Sequence, residues 1–208
     1  MDQKGLPVIV ALDVEKKGPL FQNPVINVGV AWGTSIDTIQ TMSFCFDYKD
    51  APFDKQCYDE FWSKHLDILK RIEEAAKEPK AEWTRFNTLL MELDDPSIEF
   101  ESDNPAYDIE AIDFHLYTVL GRRLPLRYTS KGVYRSISDS SERIKALPTN
   151  WQEFISKLTS ESAVHSHWAA DDAKAMLVRR FRVDQVVALR NEATKDLDAR
   201  LIQLALNG

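Results

Sequence analysis

Cysteine is nearly absent from this chain. Only Cys45 and Cys57 occur in 208 residues, with no CxxC spacing, which excludes a disulfide framework or a thiolate zinc site and points to a reducing compartment. No run approaches the roughly 20 apolar residues of a membrane-spanning helix, and the opening MDQKGLPVIVALDVE holds too short an apolar stretch for a signal peptide. A basic excess is also missing. Lys and Arg total 26 against 33 Asp and Glu, a net charge of -7, so no global positive field attracts nucleic acid and any such contact must be local. Histidine is scarce, with four in all. These absences leave a soluble, intracellular chain with no membrane association. At 44% hydrophobic it is long enough to bury one core, and a single domain over residues 1–208 is expected.

The run Leu6 to Leu12 is apolar and β-branched, as in a strand buried on both faces. It then turns polar as Asp13-Val14-Glu15. Alternation along a strand sends both carboxylates to one face and Val14 to the other, an arrangement that calls for positive charge between them. After a Gly-Pro loop, VINVGVAWG and TIQTMSFCF predict two more strands in an antiparallel meander. Helical spacing takes over in two amphipathic segments, 58–78 and 81–93, the latter marked by Trp83, Phe86, Leu90 and Leu93. Alternation returns in SIEFES. A helix follows, with Asn104 able to cap it, Pro105 at its first position, Asp108 in or beside its first turn and Gly121 at its end. Residues 122–140 read as loop and short strand, 150–158 as a short helix, and Ala169 to Leu206 as helical with one or two breaks. The whole predicts one α/β domain with a mixed sheet.

Acidic groups thus stand at three element ends: Asp13 with Glu15, Asp108, and Asp171 or Asp172 after His165 and His167. Clustered carboxylates suit hard divalent cations, with Mg²⁺ or Mn²⁺ the usual occupants. Two such ions close together can clamp the attacking and leaving oxygens of a phosphodiester displacement.

With those residues in view, the chain resembles the DEDDh group of DnaQ-like 3′→5′ exonucleases. Their Asp-x-Glu at the end of the first strand is matched by Asp13-Val14-Glu15, and VINVGVA is similar to the family's apolar strand with an embedded glycine. Asn-x-x-aromatic-Asp is matched by Asn104 to Asp108, and His with Asp five positions later, before a helix, by His167 and Asp172. Each motif alone is weak; all three in order, in the expected contexts, are specific. EFW in the first helical segment and residues 124–139 are most similar to stand-alone exonucleases of phages and large DNA viruses.

The resemblance implies an RNase H-like mixed sheet, three antiparallel strands then parallel ones, flanked by helices. It implies that Asp13, Glu15, Asp108 and Asp172 hold two Mg²⁺ or Mn²⁺ ions and that His167 takes the proton from the attacking water. A neutral imidazole suits that task because its pKa lies near neutrality. The implied substrates are 3′ ends of single-stranded DNA or RNA, and the products nucleoside 5′-monophosphates. Asp103 stands before Asn104 where some relatives have a histidine or a small residue; it either adds an acidic neighbour to the site or is neutral in effect, and removes no ligand.

Blander readings accompany each motif. DVE alone reads as a strand running into solvent, and NPAYD as an N-cap with a first-turn acid. By spacing, His165 is a bystander or a support for the site, and Asp171 is solvated. The acid-free stretch 122–135 carries Arg122, Arg123, Arg127, Lys131 and Arg135 with Tyr128 and Tyr134 between them, a pattern that fits a phosphate backbone or an ordinary loop. Asn104, Arg135 and Phe21 are the candidate substrate contacts, with Trp62 a further stacking candidate; burial is the commoner fate of such aromatics. VRRFR around Arg179 to Arg182 reads as a helix's outer face. Leu197, Leu201 and Leu204 to Leu206 fit either intramolecular packing, the preferred reading, or a homodimer seam, so monomer and homodimer both stand.

Three rivals remain. His165-Ser166-His167 offers the His-x-His of a zinc hydrolase, but Ala169 and Ala170 follow and only His65 and His115 remain elsewhere. A catalytically inactive nucleic-acid or protein binding module should have lost a ligand, and none of the five motif residues is lost. A ribonuclease H-type endonuclease lacks both the Asp-x-Glu pair and the His-to-Asp spacing.

Overall fold

A computed structural model describes residues 8–93, 98–125, 137–138, 144–145, 147–159 and 165–207. Among the described residues five strands form one sheet: β1 (Ile9–Lys16), β2 (Val25–Gly33), β3 (Gln40–Cys45), β4 (Glu99–Glu101) and β5 (Ile137–Ser138), in the order β3-β2-β1-β4-β5. The first three pair antiparallel, as the meander predicted, while β4 runs parallel to β1 and β5 parallel to β4. The helices are α1 (Lys55–Glu60), α2 (Leu66–Ala75), α3 (Pro79–Glu92), α4 (Pro105–Leu120), α5 (Thr149–Thr159) and α6 (Ala169–Asn207).

The centre of the sheet is β1, whose eight residues are all buried. Its alternation divides the core. Val10, Leu12 and Val14 pack with Val28, Val30, Phe86 and Ile112 beneath α3 and α4. Ile9 and Ala11 pack with Ala31, Ala173, Met176 and Leu177 of α6 on the other face. By the same parity Asp13 and Glu15 lie on the α6 face. Small residues let α6 approach closely. Gly29, opposite Asp13, lies so near the start of α6 that a Cβ there would fall 1.9 Å from the Ala169 carbonyl carbon.

Asp13 and Glu15 stand in the C-terminal half of β1, paired with Gly29 and Asn27 of β2. Other expectations need correction. The single helix expected over 58–78 is broken: α1 ends at Glu60, a 3₁₀ turn covers Trp62–Lys64, and α2 begins at Leu66. Trp62, Leu69 and Ile72 all pack on Ile26 and Cys45, so the apolar spacing is preserved through the break and conceals it. Conversely α6 is one continuous helix of 39 residues, without the breaks expected.

Arg180 is not on an outer face. It is 7% exposed and donates to Glu101 at 3.1 Å, Glu99 at 2.6 Å and Asp184 at 2.8 Å. Glu99 and Glu101 lie on one face of β4, and Arg180 answers their charge from α6. Asn104 precedes α4 without a side-chain cap bond, and Gly121 closes that helix with the left-handed φ of 65° that favours glycine. No described helix is long and apolar enough to cross a membrane.

Candidate active site

The sheet brings the three motifs to one end of β1. Parallel β4 lies against β1 and leads directly into α4, so Asp108 in the first turn of α4 reaches the acids of β1. Ser102 Oγ donates to Asp108 Oδ2 at 2.6 Å and accepts from the Asn104 N–H at 3.1 Å, fixing the carboxylate. From the opposite face, Asp172 in the first turn of α6 organises its own approach loop. It accepts from the Ser166 N–H at 2.7 Å and the His167 N–H at 2.9 Å. The Asn27 side chain of β2 secures the helix start by accepting from the Ala169 N–H at 3.1 Å.

His167 has a φ of 58°, the one positive value among the described non-glycine residues. Such a backbone persists only where its surroundings hold it. The holding comes from the turn between α1 and α2. Phe61 meets the imidazole edge-on at 4.8 Å between centroids, and His65 lies 4.4 Å from it. Trp62, between them, is fully buried and donates its indole N–H to the Lys16 carbonyl at 2.9 Å. That burial removes Trp62 as a stacking surface and makes it a pin joining the turn to β1. Arg71 of α2 covers the Trp168 ring at 3.7 Å.

A cavity of about 530 Å³ opens here, lined by Asp13, Glu15, Asp103, Asp108 and His167 on one side and by Phe61 and Tyr107 among others. Two groups of donors could each hold a cation, with ligand atoms mutually within 4.8 Å: Glu15, His167 and Asp172, and Asp13, Asp103 and Asp108. Neither contains two histidines. Asp13 and Glu15 are each 8% exposed. Among the described residues neither carboxylate receives a hydrogen bond, Glu15 having only His167 Nδ1 at 3.9 Å. Buried anions without donors call for a cation, and oxygen-rich donors of this kind fit Mg²⁺ or Mn²⁺.

Titration behaviour reflects the crowding. Burial, then the neighbouring carboxylates, push Asp13 and Glu15 well above the ordinary range. Burial leads again in lifting Asp108 to about 7, opposed by the Ser102 hydrogen bond. The His167 imidazole is lowered by burial and by His65, which favours its neutral form at pH 7. Lys16 lies buried at the cavity with its ammonium 3.4 Å from the centre of the Tyr107 ring, and burial lowers it to about 8.

Of the residues expected from the sequence, Asp13, Glu15, Asp108 and His167 line the cavity with Asn104, and Asp172 lies within ligand distance of Glu15 and His167. Asp171 is exposed. His165 is half exposed, between Asp172 at 3.8 Å and Asp103 at 3.9 Å. Phe21 is 40% exposed, edge-on to Phe114 at 5.2 Å, and does not line the cavity. Arg135, with Arg127, Tyr128, Lys131 and Tyr134, lies outside the described residues. Arg123 is engaged by Asp113 and lies over Tyr117 at 4.2 Å. Sequence reasoning did not foresee the roles of Phe61 and His65, which no local pattern marks; of the two readings open for Asp103, the geometry favours the acidic neighbour, within ligand distance of Asp13 and Asp108.

No family model and no curated protein sequence matches the chain. Among solved structures it is similar to product-bound exonuclease I, at 12% identity and a TM-score of 0.59 over 87% of this chain and 44% of that one. The zinc-ion-bound form of E. coli exonuclease I with single-stranded DNA aligns at 13% identity and 0.54, over 93% and 43%. Cell-death related nuclease 4 aligns at 13% and 0.56, over 86% and 64%. The chain therefore spans less than two thirds of the length of each. Strand order, register and these likenesses agree on the architecture: the chain has the RNase H-like fold of the DnaQ-like exonucleases.

Proposed function

We propose that this chain is a metal-dependent 3′→5′ exonuclease that shortens single-stranded DNA or RNA and releases nucleoside 5′-monophosphates. The observation carrying this reading is the convergence of Asp13, Glu15, Asp108, Asp172 and His167, from β1, α4 and the start of α6, around one cavity. Asp13, Glu15, Asp108 and Asp172 would hold two Mg²⁺ or Mn²⁺ ions. Bound there, the ions would supply Lewis acidity and neutralise charge at the scissile phosphate.

The protein's own groups do the rest. His167, kept neutral by its packing, accepts a proton from the attacking water at near-neutral pH. Tyr107, backed by the Lys16 ammonium, offers a rigid aromatic wall for the terminal nucleoside. A cavity of about 530 Å³ suits a single nucleotide rather than an uninterrupted duplex, which favours action at ends. A zinc hydrolase is disfavoured because neither donor group pairs two histidines. A binding-only module is disfavoured because all five motif residues keep their places at the site.

The test is degradation of 5′- and 3′-labelled single-stranded DNA and RNA with Mn²⁺ or Mg²⁺. A 5′-labelled strand should shorten stepwise, a 3′ label should leave first as mononucleotide, and Asp13→Ala and His167→Ala should abolish both. Internal cuts, or variants as active as the parent, would overturn the proposal.

A further inference from the structure

Asp103 belongs to none of the three motifs, yet one of its carboxylate oxygens lies within 4.8 Å of ligand atoms of both Asp13 and Asp108. It reaches the cavity from the bend between β4 and α4, one residue before Asn104. Arg179 Nη2 at 3.7 Å and His165 Nε2 at 3.9 Å are its nearest cationic neighbours. Both are beyond hydrogen-bonding distance, so neither saturates the carboxylate.

An acidic cluster alone means little, but a second observation points to a ligand. Asp13 is 8% exposed, lines the cavity and receives no hydrogen bond among the described residues. A buried carboxylate aimed at two others without a donor has a reason to be there only if something positive arrives. The two donor groups also differ in charge. Glu15 and Asp172 contribute two carboxylates beside an imidazole, whereas Asp13, Asp103 and Asp108 contribute three.

We propose that Asp103 is a direct ligand in this chain, completing with Asp13 and Asp108 a three-carboxylate site for a hard divalent cation beside the one formed by Glu15 and Asp172. This rests on the metal-dependent reading above. Ligand charge tunes the affinity of oxygen sites for such ions, so removing one of the three charges weakens that site selectively.

Calorimetric titration of the metal-free chain with Mn²⁺ tests this without turnover. The parent should bind two ions. Asp103→Asn, nearly isosteric, and Asp103→Ala should each weaken one binding step by about tenfold or more and leave the other within about twofold. Asp171→Asn, at an exposed neighbouring acid, should match the parent, and circular dichroism should show the same fold in each variant. If both Asp103 variants bind two Mn²⁺ ions with the parental affinities, Asp103 is no ligand and the inference falls while the nuclease reading stands. If the parent binds no Mn²⁺, the metal-dependent reading falls with it.

Discussion

Asp13, Glu15 and Asp108 repel one another within a single cavity, so the metal-free chain is less stable whenever they are all ionised. Asp108 shows the direction. Burial first, and the Asp103 carboxylate after it, lift its carboxyl from the ordinary 3.8 to about 7, so between those values the folded state binds more protons than the unfolded one. Stability therefore falls as pH rises through that window. The melting temperature of the metal-free chain should decline from about pH 4 to pH 7, and Mn²⁺ should remove the decline. Asp13→Asn should raise the metal-free melting temperature at pH 7 by several degrees, as expected for about 1–2 kcal/mol in a chain of this size, while reducing hydrolysis by about 10³-fold or more. A flat pH profile would mean that the carboxylates are not in conflict. The sequence exposed these acids through simple parity, since Asp13 and Glu15 are two apart on a strand. It left Asp103 open between an acidic neighbour and a neutral presence, because its approach to Asp13 depends on β4 lying beside β1.

The site is assembled from element ends, and its geometry depends on how closely α6 meets the sheet. Gly29 sets that distance, because a Cβ there would fall 1.9–2.2 Å from the backbone of Ala169 and Ala170. Gly29→Ala should push the first turn of α6 outward, moving Asp172 and the His167 loop together. It should cost about 1–3 kcal/mol or more and lower activity far beyond the loss in folded fraction. Gly121→Ala, at a helix end with open space around it, should cost about 1–2 kcal/mol through its left-handed backbone and leave kcat unchanged. Equal activity losses in the two variants would argue against this geometry. Element order was readable because each strand and helix carries its own period. The break at Phe61–His65 was not, since Trp62, Leu69 and Ile72 keep a helical spacing across it. Nor was the burial of Arg180: its helix looked solvent-facing until β4 placed Glu99 and Glu101 opposite.

Taken whole, the molecule is an acidic protein with Asp13, Glu15, Asp103, Asp108 and Asp172 gathered at the cleft proposed to receive a polyanion, an arrangement that is unproductive unless cations occupy it. The resemblance seen in three short motifs and the architecture agree, although sequence identity to the solved exonuclease structures is 12–13%. In this chain each motif sits near the end of a strand or helix at the same cavity. Crystals of the chain grown with Mn²⁺ and measured at the manganese absorption edge test the central claim most directly. The account predicts two anomalous peaks in the cavity, one among Glu15, His167 and Asp172 and one among Asp13, Asp103 and Asp108. A cavity without a peak, or manganese bound only elsewhere on the surface, would contradict it.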